Sequence, residues 1–129
     1  MRSKTATPRA ASVEFEIWGA RGSRSLSPPH STIANYTSCY SLRAGSDLFV
    51  LDGGRGLGVL SRAVSAEPRF RGVERVHLLL SHSHMDHWEG LKDAEWFWTN
   101  GNGLKLSVFG AREALEAVRR GYGHPAYVP

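Results

Sequence analysis

The chain has 129 residues, the size of one modest domain, and with 41% hydrophobic and 22% charged residues it has the composition of a globular protein. Its net charge of +4 comes from 16 Lys and Arg against 12 Asp and Glu, a surplus that confers solubility and favours anionic partners without singling out nucleic acid. The single cysteine, Cys39, excludes an intrachain disulfide and an all-cysteine zinc site and points to a reducing, cytoplasmic setting.

Residues 1–12 are basic and polar without an apolar core, so they read as a disordered leader rather than a secretory signal. Residues 13–129 read as one domain with no internal repeat, and no apolar run reaches membrane-spanning length. From Val13 to Ile17 apolar residues alternate with Glu14 and Glu16, the pattern of a strand with one buried face. Ser23 to Thr37, with Pro28-Pro29 inside it, reads as a long loop. Cys39–Arg43 and Asp47–Leu51 form a predicted hairpin around Ala44-Gly45-Ser46, and a short helix carrying Leu57, Leu60 and Val64 follows Asp52-Gly53-Gly54. Pro68 to Gly72 is a basic turn. Val73 to Leu80 reads as a strand whose apolar end places it centrally in a sheet. Trp96-Phe97-Trp98 and a turn at 100–103 precede a strand from Leu104 to Phe109. A final helix from Glu113 to Arg120, with Leu115 and Val118 inward, is stopped by Gly121-Tyr122-Gly123. Strands first and strand-helix units later make the class α/β or α+β.

The chemistry concentrates where the apolar strand ends. His82, His84, Asp86 and His87 fall within six residues, in a chain with six histidines. Their offsets do not suit one face of a helix. They suit a loop leaving a rigid strand, where His82 and His84 project to one side while Asp86 and His87 point elsewhere. Nitrogen and carboxylate donors without thiolate suit Zn²⁺, with Mn²⁺ or Fe²⁺ as alternatives. Two such ions about 3.5–4 Å apart activate a water between them. Asp52 ends the preceding strand and is the expected hydrogen-bond partner of the metal loop. Asp52-Gly53-Gly54-Arg55-Gly56 lacks the lysine and the spacing of a P-loop and reads as a structural turn. His77 reads as a strand residue facing a polar partner, His30 as solvated, and His124 as a weak ligand candidate. Cys39 reads as a small core residue, and Trp88, Trp96, Phe97 and Trp98 as core or pocket wall.

Ser81-His82-Ser83-His84-Met85-Asp86-His87-Trp88-Glu89-Gly90 resembles the signature of the metallo-β-lactamase superfamily. Ile17-Trp18-Gly19-Ala20-Arg21-Gly22-Ser23, Asn35-Tyr36-Thr37-Ser38-Cys39 and Leu51-Asp52-Gly53-Gly54-Arg55-Gly56-Leu57 are similar to segments of one branch, that of ribonuclease Z and cyclic-nucleotide phosphodiesterases. Two departures affect loop shape: Ile33 to Thr37 stands where a Gly-Gly-Asn-Thr stretch is usual, and Gly53 replaces a common alanine. The resemblance implies an αββα sandwich of which this chain supplies mainly the first β-sheet and its helices. It implies His82 and His84 on one ion, Asp86 and His87 on a second, and Asp86 as the catalytic residue. A further histidine, a bridging aspartate and a final histidine of the family have no match here, so each ion is left with two protein ligands where a catalytic zinc has three plus water. The second sheet is missing with them, which predicts an uncovered apolar face and hence a homodimer or a complementing chain.

Three functions stand open from the sequence. The first is a di-metal phosphodiesterase acting on RNA ends or nucleotides, with thioester, lactone or β-lactam hydrolysis as its variant. The second is an inactive half-domain needing a complement. The third is a nucleic-acid-binding module, with salt-dependent affinity that survives chelation.

Overall fold

The computed structural model describes residues 12–23, 35–98 and 103–123. The leader up to residue 11, Pro28-Pro29, His30 and His124 lie outside the described residues, as does most of the turn at 100–103. Five strands, β1 (Val13–Gly19), β2 (Cys39–Ala44), β3 (Asp47–Leu51), β4 (Arg75–Leu80) and β5 (Lys105–Gly110), form one sheet in sequence order. Three helices accompany them: α1 (Gly56–Ala66), α2 (Glu95–Trp98) and α3 (Arg112–Tyr122). The first three strands pair antiparallel and the last three parallel.

Local chemistry sets this change of direction. Ala44 pairs with Asp47, so β2 and β3 are joined by Gly45-Ser46 alone, and Gly45 at φ +62° supplies the left-handed conformation such a turn demands. Parallel pairing needs a long crossover, and α1 provides it between β3 and β4, while 3-10 turns and α2 provide it between β4 and β5. β4 lies inside the sheet between β3 and β5, and it starts at Arg75 rather than Val73, whose N–H closes the preceding turn on the Phe70 carbonyl.

The two faces of the sheet differ sharply. Leu48, Val50, Val76, Leu78 and Leu80 point to one side and are buried in a single cluster with Leu57 and Leu60 of α1, Leu91, Trp96 and Val118. The opposite side is uncovered among the described residues. Register places Val13, Phe15 and Ile17 there with Leu42, Tyr40, Phe49, Leu51, Leu79 and Phe109. The apolar set of β1 was expected to be its buried one. Instead Val13, Phe15 and Ile17 are 61%, 54% and 53% exposed, and Trp18, beyond a register shift, turns toward Phe70 and the core. The alternation is real, but no described element covers it. At about half exposure, each such side chain forgoes roughly half of the 1.5–3 kcal/mol that full burial is worth.

One further expectation shifts. α3 buries Val118 as expected, but Ala114 rather than Leu115 is its second buried residue, Leu115 being half-buried. The helix runs two residues past Arg120 and ends at Tyr122 with Gly123 as its cap, within the expected stop, and the Trp88 ring lies against Gly121, where a Cβ would come within 2.7 Å of it. The Trp96 stretch forms α2, with Trp96 buried in the core.

Candidate metal centre

Parallel pairing of β3 and β4 brings the carboxyl ends of both strands to one sheet edge, where ligand sites of α/β proteins gather. Leu51 pairs with Leu79, so the residues that follow, Asp52 and Ser81, meet. Asp52 leaves the ladder at φ +59°, a left-handed conformation that Asp tolerates better than most residues, while its N–H still donates to the Leu79 carbonyl at 2.9 Å. That reversal folds the buried carboxylate back over the histidine loop. Asp52 Oδ1 accepts from the Ser81 N–H at 2.8 Å, and Oδ2 accepts from Ser81 Oγ at 2.8 Å and lies 2.8 Å from His87 Nδ1. A carboxylate acceptor makes Nδ1 the donor and leaves the Nε2 lone pair free to face Asp86, whose Oδ2 is 3.4 Å away. Ser81 Oγ also sits 2.9 Å from His82 Nδ1.

The imidazoles gather at this edge. Ring centroids of His82 and His84 are 4.6 Å apart and those of His82 and His87 are 4.0 Å apart. Asp86 and His87 lie on a 3-10 turn, Met85–His87, and contrary to the expectation that they point elsewhere, this turn brings the His87 ring against His82, closer than His84 is. The donor chemistry fits a divalent ion. The donor count does not: among the described residues no group of three or more His, Cys, Asp or Glu side chains converges where it could hold one.

The glycines around the loop are there for close approach rather than for flexibility. A Cβ on Gly90 would overlap the Gly54 carbonyl oxygen and lie 2.7 Å from the Gly54 carbonyl carbon. One on Gly54 would lie 2.5 Å from the Asp86 carbonyl oxygen and 2.6 Å from Thr37 Oγ1. The Gly53 N–H donates to the His87 carbonyl at 2.6 Å, and the Gly90 N–H donates to the Gly53 carbonyl at 2.9 Å. The Asp52–Gly56 segment is thus a bed for the metal loop. Gly90, which reads from sequence as a turn residue, is the point where the two backbones touch.

Several residues that hold the loop escape the sequence reading. Thr37, fully buried, accepts from the Arg55 N–H at 2.8 Å and donates to Glu89 Oε1 at 3.3 Å, the same oxygen that Arg55 Nε reaches at 3.3 Å. Tyr122 Oη donates to the Glu89 carbonyl at 2.8 Å, and its ring meets Trp88 edge-on at 5.6 Å. Trp88 Nε1 in turn donates to the Ser83 carbonyl at 3.0 Å. These partners lie between 33 and 52 residues from Glu89 in sequence, so no local spacing marks them.

Elsewhere, His77 lies on the open sheet face with Nε2 2.8 Å from Asp47 Oδ1, stacked on Phe49. Arg75 donates to both Asp47 oxygens at 2.7 Å, and these two partners hold the Asp47 carboxyl well below the usual carboxylate range. Burial pushes the Cys39 thiol far up, with the Asp52 carboxylate adding to it, so this thiol stays protonated and inert.

The fold and this edge together define a metallo-β-lactamase-type architecture, represented here by one sheet with its helices on one side. A solved structure of the metallo-beta-lactamase fold protein YhfI from Bacillus subtilis superposes with a TM-score of 0.55 over 91% of this chain at 22% identity. The chain spans 44% of that structure's length. No family model and no curated protein matches the sequence. The likeness establishes the fold, and it concerns less than half of the folded neighbour. No described helix is long and apolar enough to cross a membrane.

Proposed function

We propose that this chain supplies the first half of a divalent-metal hydrolase site, most simply a zinc phosphodiesterase for RNA or nucleotide-type substrates. The observation that carries the reading is the Asp52–Ser81–His87 network, which holds one imidazole with Nε2 turned outward beside Asp86. Such a brace is what a ligating histidine needs, since a fixed tautomer and ring orientation strengthen the donor. When bound, the metals would supply a hydroxide nucleophile and offset charge on the leaving oxygen. The preference for phosphodiesters over thioesters, lactones or β-lactams rests on the sequence segments similar to the ribonuclease Z branch. Cys39, reduced and buried, accords with a cytoplasmic setting.

A second reading, a catalytically incomplete domain that needs a second layer, is favoured by two observations. Among the described residues no three donors converge, and the open face exposes Phe15, Ile17 and Phe109. A homodimer or a complementing chain would cover that face. One experiment separates the readings: hydrolysis of bis(p-nitrophenyl) phosphate after addition of Zn²⁺ or Mn²⁺, with bound metal counted on the same sample. Two ions per chain and metal-dependent turnover support the enzyme. Fewer ions and no turnover, with thioester, lactone and β-lactam substrates also untouched, support the incomplete domain.

A further inference from the structure

The cations of this chain are not distributed as the sequence implies. Within the basic stretch from Arg69 to Arg75, Arg69 pairs with Glu16 and Glu67 and lies over the Phe70 ring at 4.6 Å, and Arg75 is engaged by Asp47 and Glu74, while Arg71 stays exposed. A second group of cations meets at a pocket beside the histidine loop. An open pocket of about 330 Å³, at the low end of the roughly 300–1,000 Å³ of ligand clefts, is lined by Tyr36, Arg55, Arg62, Lys92 and Asp93.

Three features give this pocket a chemical preference. Arg62 and Lys92 have no ion-pair partner among the described residues, and both are exposed. Arg55 touches Glu89 through Nε and keeps 51% of its side chain exposed, so its terminal fork remains available. Three cations therefore outnumber the two nearby carboxylates, Asp93 and Glu89. Tyr36, 41% exposed, adds an aromatic surface beside them. Cations interleaved with an aromatic ring are the arrangement that holds single-stranded nucleic acid, through phosphate contact and base stacking. The pocket also adjoins the metal loop: Lys92 and Asp93 lie on the 3-10 segment Glu89–Asp93 that directly follows the histidine tetrad, and Arg55 is bonded to its first residue.

We propose that the Tyr36–Arg55–Arg62–Lys92 pocket binds a phosphate of a single-stranded RNA substrate, at a position outside the metal centre, with Tyr36 stacking on the adjoining base. This rests on the phosphodiesterase reading for its biological sense, but its test does not. The affinity of the purified chain for a labelled single-stranded oligoribonucleotide is measured by fluorescence anisotropy in EDTA, across a salt series. Arg62→Glu with Lys92→Glu should weaken binding at least ~10-fold and lower the salt slope by roughly 0.7–1, the counterion release of the one phosphate held there. Arg112→Glu with Arg119→Glu changes the net charge equally on α3, and should weaken binding less than ~3-fold if the effect is local rather than the field of the whole molecule. Tyr36→Ala should reduce affinity with the salt slope unchanged, since stacking releases no counterions. Inorganic polyphosphate should compete poorly with RNA. The proposal is overturned if the unaltered chain does not bind RNA, if both charge pairs weaken binding equally, or if polyphosphate competes fully and Tyr36→Ala has no effect. RNA binding without metal-dependent hydrolysis would leave this pocket standing and remove the enzyme reading instead.

Discussion

Gly90→Ala should destabilise this protein, although the same exchange at an ordinary site stabilises it. Gly90 is not among the described residues with positive φ, so its backbone conformation is open to alanine. Removing a glycine from such a position normally adds about 0.4–1 kcal/mol by restricting the unfolded chain. Packing reverses the sign. The added Cβ would lie 2.7 Å from the Gly54 carbonyl carbon and 3.0 Å from the Gly53 oxygen, where ordinary contact begins at 3.4 Å, and both neighbours are backbone. It would also overlap the Gly54 carbonyl oxygen, the tightest of these contacts, so the loop must retreat by about an ångström or more. That retreat breaks or stretches the Gly90–Gly53 and Gly53–His87 hydrogen bonds, each worth about 1 kcal/mol and more where a buried group is left unpaired. The net expectation is a loss of about 2–4 kcal/mol. At roughly 3–5 °C per kcal/mol for a chain of this length, the melting temperature should fall by about 6–20 °C. Thermal unfolding followed by circular dichroism reads it directly. An unchanged or raised melting temperature would refute the claim that the tetrad loop rests on the Gly53-Gly54 backbone.

Replacing Phe15 and Ile17 together by Lys should suppress self-association and dye binding to apolar surface while leaving the melting temperature within about 5 °C, because exposed substitutions shift stability by less than ~0.5 kcal/mol each. Analytical ultracentrifugation and thermal melts check this; a drop of many degrees would mean that β1 is buried in solution by a partner copy. Acid should also weaken the protein in a defined way. Asp47 is held below its ordinary value by Arg75 first and His77 second, so its contribution is present above the unfolded value, about 3.9, and fades as pH falls below it toward the depressed folded value. Asp47→Asn should flatten the fall of melting temperature with pH below about 4, while an unchanged slope would show that this carboxylate does not govern acid stability.

Much of this structure is legible in the residues themselves. Alternation in 13–17, the Gly45-Ser46 hairpin and the apolar run ending at Leu80 are local patterns, set by side-chain period and turn stereochemistry within a few residues. The tetrad was equally visible, because its members lie within six positions of one another at a strand end. Asp52 could be singled out as a partner of that loop, since strand ends on the same sheet edge place their next residues together. What the sequence alone leaves open is every relation that depends on which surfaces meet. The β1 alternation by itself marks an apolar face without saying whether anything covers it; only the family resemblance implied that it would lie uncovered, and it is open among the described residues. Composition places a basic stretch at Arg69 to Arg75, yet packing pairs Arg69 and Arg75 with Glu16, Glu67 and Asp47, and brings Arg55, Arg62 and Lys92, distant in sequence, together beside Tyr36. Thr37, Glu89 and Tyr122 became supports of the loop only through contacts spanning tens of residues, where neither period nor spacing carries information. Sequence determined the elements and the donor chemistry of this protein because both are short-range; the brace, the uncovered face and the cationic pocket were decided by long-range packing.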